Sequence, residues 1–229
     1  TTKVLGKQAG MTLDTIIRNK LQGGTNVFYC PKVAADGTKT VVGSRADLNK
    51  TCKLTVDMVR RVAAFLKSNN APKIDGSYVA IIHPHVAFDL QNDEHWEEAH
   101  KYATPENIYE GELGKIAGVR FVESSEAKIY YGADNDPDNP SNTEDDCPEG
   151  LGVYGCLFFG ANAYGVTEIE GGGLQTIFKQ KGSAGTGDPL DQRSSVGWKA
   201  TSTAEILVQN YLVRVECCSD FSDQIKEAN

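Results

Sequence analysis

The chain has 229 residues, a net charge of −8, and 40% hydrophobic against 24% charged residues. That acidity excludes a tight direct grip on nucleic acid, which needs clustered Lys and Arg to displace counterions. No apolar run approaches the ~20 residues of a membrane helix, so the composition describes a soluble globular protein of one large domain or two small lobes. The sequence begins at Thr1 with no initiator Met and no basic-then-apolar leader, and it reads as a processed product or an excised fragment.

Leu13, Ile16, Ile17 and Leu21 share one stripe and predict a helix from about Thr12 to Leu21, extendable toward the start and closed by Gly23-Gly24. Short strands are expected at Asn26–Cys30 and Thr38–Val42, with Ala35-Asp36-Gly37 as the turn between them. Thr55 reads as the N-cap of a helix carrying Val59, Val62, Ala63 and Leu66, with Asp57 in its first turn and Asn69, Asn70 and Pro72 ending it. Tyr78 to Ile82 is continuously apolar, as a central strand covered on both faces requires. His83-Pro84 then starts a helix, because proline suits the first helical position. A further helix is expected over Glu94–Ala103, and strands over Gly118–Val122 and Lys128–Tyr131.

Gly132 to Gly150 is an acidic loop poor in apolar residues. Beyond it lie β runs at Leu157–Ile169 and Gln175–Lys181, the glycine-rich loop Gly182–Arg193, then Gly197-Trp198-Lys199-Ala200 and runs at Thr203–Gln209 and Tyr211–Cys217. In the last run Val213, Val215 and Cys217 alternate with Arg214, Glu216 and Cys218, which predicts one buried and one wet face. The tail from Asp220 is expected to fray. The order is mixed α+β, without regular βαβ alternation.

The six cysteines contain no Cys-x-x-Cys pair and read as reduced thiols. All four histidines, His83, His85, His95 and His100, fall in one segment. His95 and His100 are five apart, not the four that place two ligands on one helix face. Asp134, Asp136, Asp138 and Asp145 match part of a calcium-loop spacing, but Asn139 stands where that loop needs glycine. Gly182 to Asp188 lacks the Lys-Ser/Thr ending of a phosphate loop, and Ser183 and Ser195 lack an activating motif. Trp198 is expected as a core anchor in preference to an interface anchor. No catalytic residue, cofactor or metal ligand is therefore assigned.

Several segments resemble the major capsid protein of tailed bacteriophages, in the branch typified by N-four-like podophages. They are Gln8–Thr15, Tyr78–Leu90, Asn107–Glu123, Ala163–Val166, and Gly182–Arg193 closing on Val196-Gly197-Trp198-Lys199. The resemblance implies the Hong Kong 97-like α+β coat fold, with a peripheral domain of spine helix plus long sheet and an axial domain of mixed sheet and helices. Carried over, residues 1–54 form the spine-helix part of the peripheral domain, 55–172 the axial domain, and 173–229 the returning peripheral strands. The family's N-terminal arm and extended loop should precede the spine helix, and this chain starts too late to hold them. The function implied is non-enzymatic. Copies assemble into the pentamers and hexamers of an icosahedral shell that encloses double-stranded DNA without reading its sequence. A scaffold or maturation protease is a possible partner, no membrane is involved, and the expected location is the virion after assembly in the bacterial cytoplasm. Two other readings remain: a cytosolic metal-dependent hydrolase using His83, His85 and nearby acids, and a calcium or small-ligand module using the acidic loop.

Overall fold

The computed structural model describes residues 2–96, 114–131, 147–148, 150–167, 172–183, 187, 190, 192–225 and 229. Its first element is α1 (Thr2–Gln22), longer than the apolar stripe alone predicts. The helix stops at Gly23 and Gly24, whose amides bond to the carbonyls of Lys20 and Leu21. Then come β1 (Val27–Tyr29), β2 (Lys32–Val33) and β3 (Lys39–Thr40), followed by α2 (Val56–Ser68). Next are β4 (Tyr78–Ile82), α3 (Pro84–Gln91), β5 (Lys115–Ile116), β6 (Val119–Glu123) and β7 (Ile129–Tyr130). The last third holds β8 (Val153–Phe159), β9 (Tyr164–Val166), β10 (Gln175–Lys179), β11 (Ser195–Lys199), β12 (Ala204–Ile206) and β13 (Leu212–Cys217).

A seven-stranded mixed sheet runs β1-β13-β8-β4-β6-β5, with β7 also paired to β8. β4 lies between β8 and β6, as its unbroken apolar run predicts. Side chains alternate cleanly between its faces. Tyr78, Ala80 and Ile82 join the large core under α2 and α3, while Val79 and Ile81 join a smaller core with Leu21 and Ile17 of α1. The sheet is therefore covered on both sides, and all seven residues of β8 are buried. Gln22 ties α1 to the sheet centre. Its amide donates to the Gly155 carbonyl at 2.9 Å and its oxygen accepts from the Tyr130 hydroxyl at 3.1 Å. Gly155 makes this possible, because a Cβ there would stand 2.8 Å from the Gln22 side chain.

Several expectations change. The strand at Asn26–Cys30 does not pair with the one after the turn. It joins β13 in parallel, and the hairpin forms instead between β2 and β3. The run Leu157–Ile169 is two strands. Gly160 breaks it because the backbone passes so close to Pro72 that a Cβ would lie 2.5 Å from that carbonyl oxygen. β7 pairs with β8. Residues 195–199, to which the sequence assigns no strand, form β11 against β10.

Another concerns β13, which has no wet face. Val213, Val215 and Cys217 enter the large core, while Arg214 and Glu216 point toward the side closed by α1 and the loop around Arg45. Glu216 is fully buried and holds Arg45 through two bonds of 2.7 Å, with Arg214 Nε at 2.9 Å. The Arg45 guanidinium lies 3.6 Å over the Tyr130 ring, and Arg214 also donates to the Gln22 carbonyl.

The described residues after β13 are packed as well. Ser222 is buried and its carbonyl accepts from Gly152 at 2.8 Å. Asn229 bonds to the backbone of Ala127 and Ile129. Polar composition predicted fraying because it does not show how many partners those polar groups find.

β9 pairs with β12 and β10 with β11, both antiparallel. The Thr167 amide donates to the Thr203 carbonyl beside the first pair, and the Thr201 amide to the Gly172 carbonyl beside the second. α1 packs along β12 and touches β11, and Lys20 meets Glu205 at 3.1 Å.

Candidate functional site

Proline at the first position of α3 leaves His83 as its N-cap. The His83 Nδ1 accepts from the His85 amide at 3.1 Å, and His85 Nδ1 meets the Tyr154 hydroxyl at 2.8 Å. The two imidazoles are 4.5 Å apart, and Phe221 stacks on His85 at 4.5 Å. Burial, helped by the neighbouring His85, pushes His83 down to about 4. Burial also pushes the Tyr154 hydroxyl up. The nearby carboxylate, Asp89, is buried and is engaged by Lys53 at 3.4 Å and by the Asp220 amide at 3.2 Å. These donors and acceptors bind one another and hold the segment after β13 onto α3. Among the described residues no group of three or more His, Cys, Asp or Glu is arranged to hold a metal ion. His95 stands beyond α3, where its amide donates to Asp93.

His100, the acidic positions Asp134, Asp136, Asp138 and Asp145, and the predicted helix beyond Trp96 lie outside the described residues. So do most of the positions from 184 to 191. Ser183 turns its hydroxyl onto the Gln180 carbonyl at 2.6 Å, and Ser195 opens β11. Five cysteines are buried and all six are free thiols. Cys156 and Cys217 lie 3.8 Å apart. The hydrogen bond with Cys217, together with burial, pushes the Cys30 and Cys156 thiols up.

The larger feature is surface. Every residue of β10 is exposed, and β11 alternates between exposed and half-buried. Phe178 is 61% exposed, with Leu174 also outside the core. Cross-strand partners share a face, so Phe178 joins Val196, and Thr176 joins Trp198. The ribbon thus has an apolar face of Leu174, Phe178, Val196 and Trp198. Lys179, Lys181 and Lys199 alternate onto the other face. Trp198 is half-buried in this ribbon and does not anchor the core, which corrects the expectation for it. A two-stranded ribbon is marginal by itself in water, and exposed apolar faces on such elements mark contact sites.

A second concave surface of about 360 Å³ opens between α1 and the sheet. Ile17, Ile81, Val122 and Leu157 form its apolar part, and Asp14, Glu123 and Glu126 stand around it with Arg18. Arg18 is buried and donates to the carbonyls of Glu126 at 2.6 Å and Asn229 at 3.1 Å. Neither surface was located by motif reasoning. The alternation of Thr176, Phe178, Val196 and Trp198 was a usable signal, but Gly197 disguised the second strand.

A family model described as phage capsid protein matches residues 1–183. No curated protein matches by sequence. Solved structures do match by fold. The acid-stable capsid of Helicobacter pylori bacteriophage KHP30 gives a TM-score of 0.63 at 13% identity, over 95% of this chain and 68% of that one. The capsid of cyanophage P-SCSP1u gives 0.62 at 13% identity, over 96% and 65%. The capsid asymmetric unit of cyanophage Pam1 gives 0.60 at 14% identity, over 95% and 68%. The chain spans 61% of the Mycobacterium phage Che8 chain that it also matches. The mixed α+β fold is thus shared with phage capsid structures, and by the match over its first 183 residues the chain belongs to the phage capsid protein family.

Proposed function

We propose that this chain is a shell-forming part of the major capsid protein of a tailed bacteriophage or prophage. The observation that carries this reading is the family match over residues 1–183. The fold likeness to capsid structures supports it, as do two exposed surfaces, the amphipathic ribbon and the groove beside α1. In this reading the fold is Hong Kong 97-like. α1 is the spine helix, residues 1–54 and 173–229 belong to the peripheral domain, and residues 55–172 form the axial domain. The paired strands beside α1 support that division.

Copies meet one another as pentamers and hexamers, and many modest contacts sum into a stable shell. The chain is non-enzymatic and stands in the virion after assembly in the host cytoplasm. A scaffold or maturation protease acts on the growing shell. The net charge of −8 suits a wall that encloses double-stranded DNA without gripping it. The test is electron microscopy of the full-length protein expressed alone. Closed shells or capsomer rings are expected, and a full-length product that stays monomeric at high concentration overturns the proposal.

A further inference from the structure

Five of the six cysteines are buried, and three of them meet around the end of β13. Cys217 closes β13, Cys156 lies on β8, and Cys30 follows β1. Cys156 stands opposite Val215 and Cys217 opposite Tyr154, so the two cysteines are diagonal neighbours on one face of the sheet. Their sulfurs lie 3.8 Å apart. From the other side, Tyr29 pairs with Glu216 and the Cys30 amide donates to the Glu216 carbonyl at 3.0 Å, which sets Cys30 beside Cys217. Cys217 therefore sits between two thiols in the large core. The hydrogen bond with Cys156, then that with Cys30, pushes the Cys217 thiol down, while Cys156 and Cys30 are pushed up. That split favours one thiolate between two thiols. The other buried cysteines are engaged elsewhere or held as thiols. Cys52 exchanges hydrogen bonds with Asn49, and burial pushes Cys218 up.

We propose that Cys156 and Cys217 are a redox lock, which a hydroperoxide closes into a disulfide that staples β8 to β13. Cys217 attacks the peroxide as the thiolate. The O–O bond breaks, hydroxide leaves and takes up the thiol proton, and Cys217 becomes a sulfenic acid. The Cys156 sulfur then attacks the Cys217 sulfur, the S–O bond breaks, and water leaves with the Cys156 proton. Two thiols and one hydrogen peroxide give one disulfide and two waters, and two electrons pass to the peroxide. Both sulfurs are buried, so the oxidant enters as the sheet edge opens. β1 is that edge, three half-buried residues lying against β13, and such elements open at lower cost than the core. Diagonal cysteines stand near the upper limit of disulfide span, and the freedom gained as β1 opens lets the two strands close the gap. The bond joins residues 61 positions apart, which restricts the unfolded chain. Its formation is independent of the shell reading. Its use rests on that reading: a chain that folds in a reducing compartment becomes harder to unfold once it meets oxidant.

The test uses the chain with Cys147→Ser, which removes the half-exposed thiol. It is treated with hydrogen peroxide, denatured, alkylated, digested without reductant and mapped by mass, with fragmentation to separate Cys217 from Cys218. A cross-linked peptide joining Cys156 to Cys217 is expected. The oxidised chain is expected to unfold at a higher urea concentration than the same sample after reduction. Cys156→Ala is expected to lose both the cross-link and the shift, and Cys30→Ala to keep both. The peptide map of the parent chain decides the pairing even where a variant fails to fold.

Recovery of Cys156 and Cys217 as alkylated thiols overturns the lock, as does a bond from Cys217 to Cys30 or a sulfinic acid at Cys217 without a cross-link. A 156–217 bond that leaves the urea midpoint unchanged overturns the stapling role. Shells by electron microscopy with no cross-link sink the lock alone, and a cross-link in a full-length protein that stays monomeric sinks the shell reading alone, so the two failures are distinguishable.

Discussion

Glu216 occupies a position that strand alternation assigns to solvent, yet none of it is exposed. Its carboxylate faces Arg45 in a bidentate pair and Arg214 beside it, with no water-facing side left. Burying charge is costly unless partners replace the lost solvation. Removing one partner leaves the others uncompensated, so Glu216→Ala is expected to destabilise by about 3–5 kcal/mol. Urea unfolding checks this, and a loss under ~1 kcal/mol contradicts the role given to the cluster.

His83 makes a second prediction at this scale. Burial holds its folded-state value near 4, below the ordinary histidine value of about 6.5. The unfolded chain therefore takes up the proton first. The stability tied to neutral His83 is whole above about pH 6.5 and is lost as pH falls toward about 4. His83→Asn keeps an acceptor for the His85 amide but cannot titrate. The difference in unfolding midpoint between the two proteins should shift across that window, and parallel pH profiles would refute it.

At the scale of elements, α2 shows a helix start whose cap comes from elsewhere. Thr55 has the extended backbone of an N-cap but makes no capping bond with its side chain. The free Val56 amide is taken instead by Asp93 Oδ2 at 3.0 Å, from the turn beyond α3. Asp93 Oδ1 also accepts from the His95 amide at 2.9 Å. Asp93→Ala is therefore expected to cost about 1 kcal/mol, and more than Thr55→Ala, by chemical denaturation. The reverse order would show that the local residue is the true cap.

The helices were legible because their signals are local. Apolar spacing, Pro84 and the Gly23-Gly24 stop all lie within or next to the element they define. β4 was legible for the same reason. β11 was not, because Gly197 weakens the strand pattern and only pairing with β10 makes it a strand. The candidate site was less legible still. The histidines drew attention through their clustering in sequence, yet the fold uses His83 and His85 to cap α3 and seat Phe221. Phe178 and Trp198 belong to the surface of interest, but nothing local told exposed aromatics from core ones.

At the scale of the molecule, one sheet is closed on one face by α2 and α3 and on the other by α1, while the ribbon leaves the body partly uncovered. A chain meant to stand alone rarely exposes an apolar ribbon face. Shell formation by the full-length protein is the behaviour this distribution of surface predicts.

The sequence by itself determined the α+β class, the helices and the central strand β4, and its recognisable segments pointed to the coat-protein family. Local periodicity and turn chemistry act over a few residues, so they are readable there. Only the tertiary structure decided the strand order, the burial of Glu216 and the packing of the chain after β13. Alternation along a strand separates two faces but does not say what covers either one, and that cover comes from residues more than a hundred positions away, such as Arg45 and Gln22.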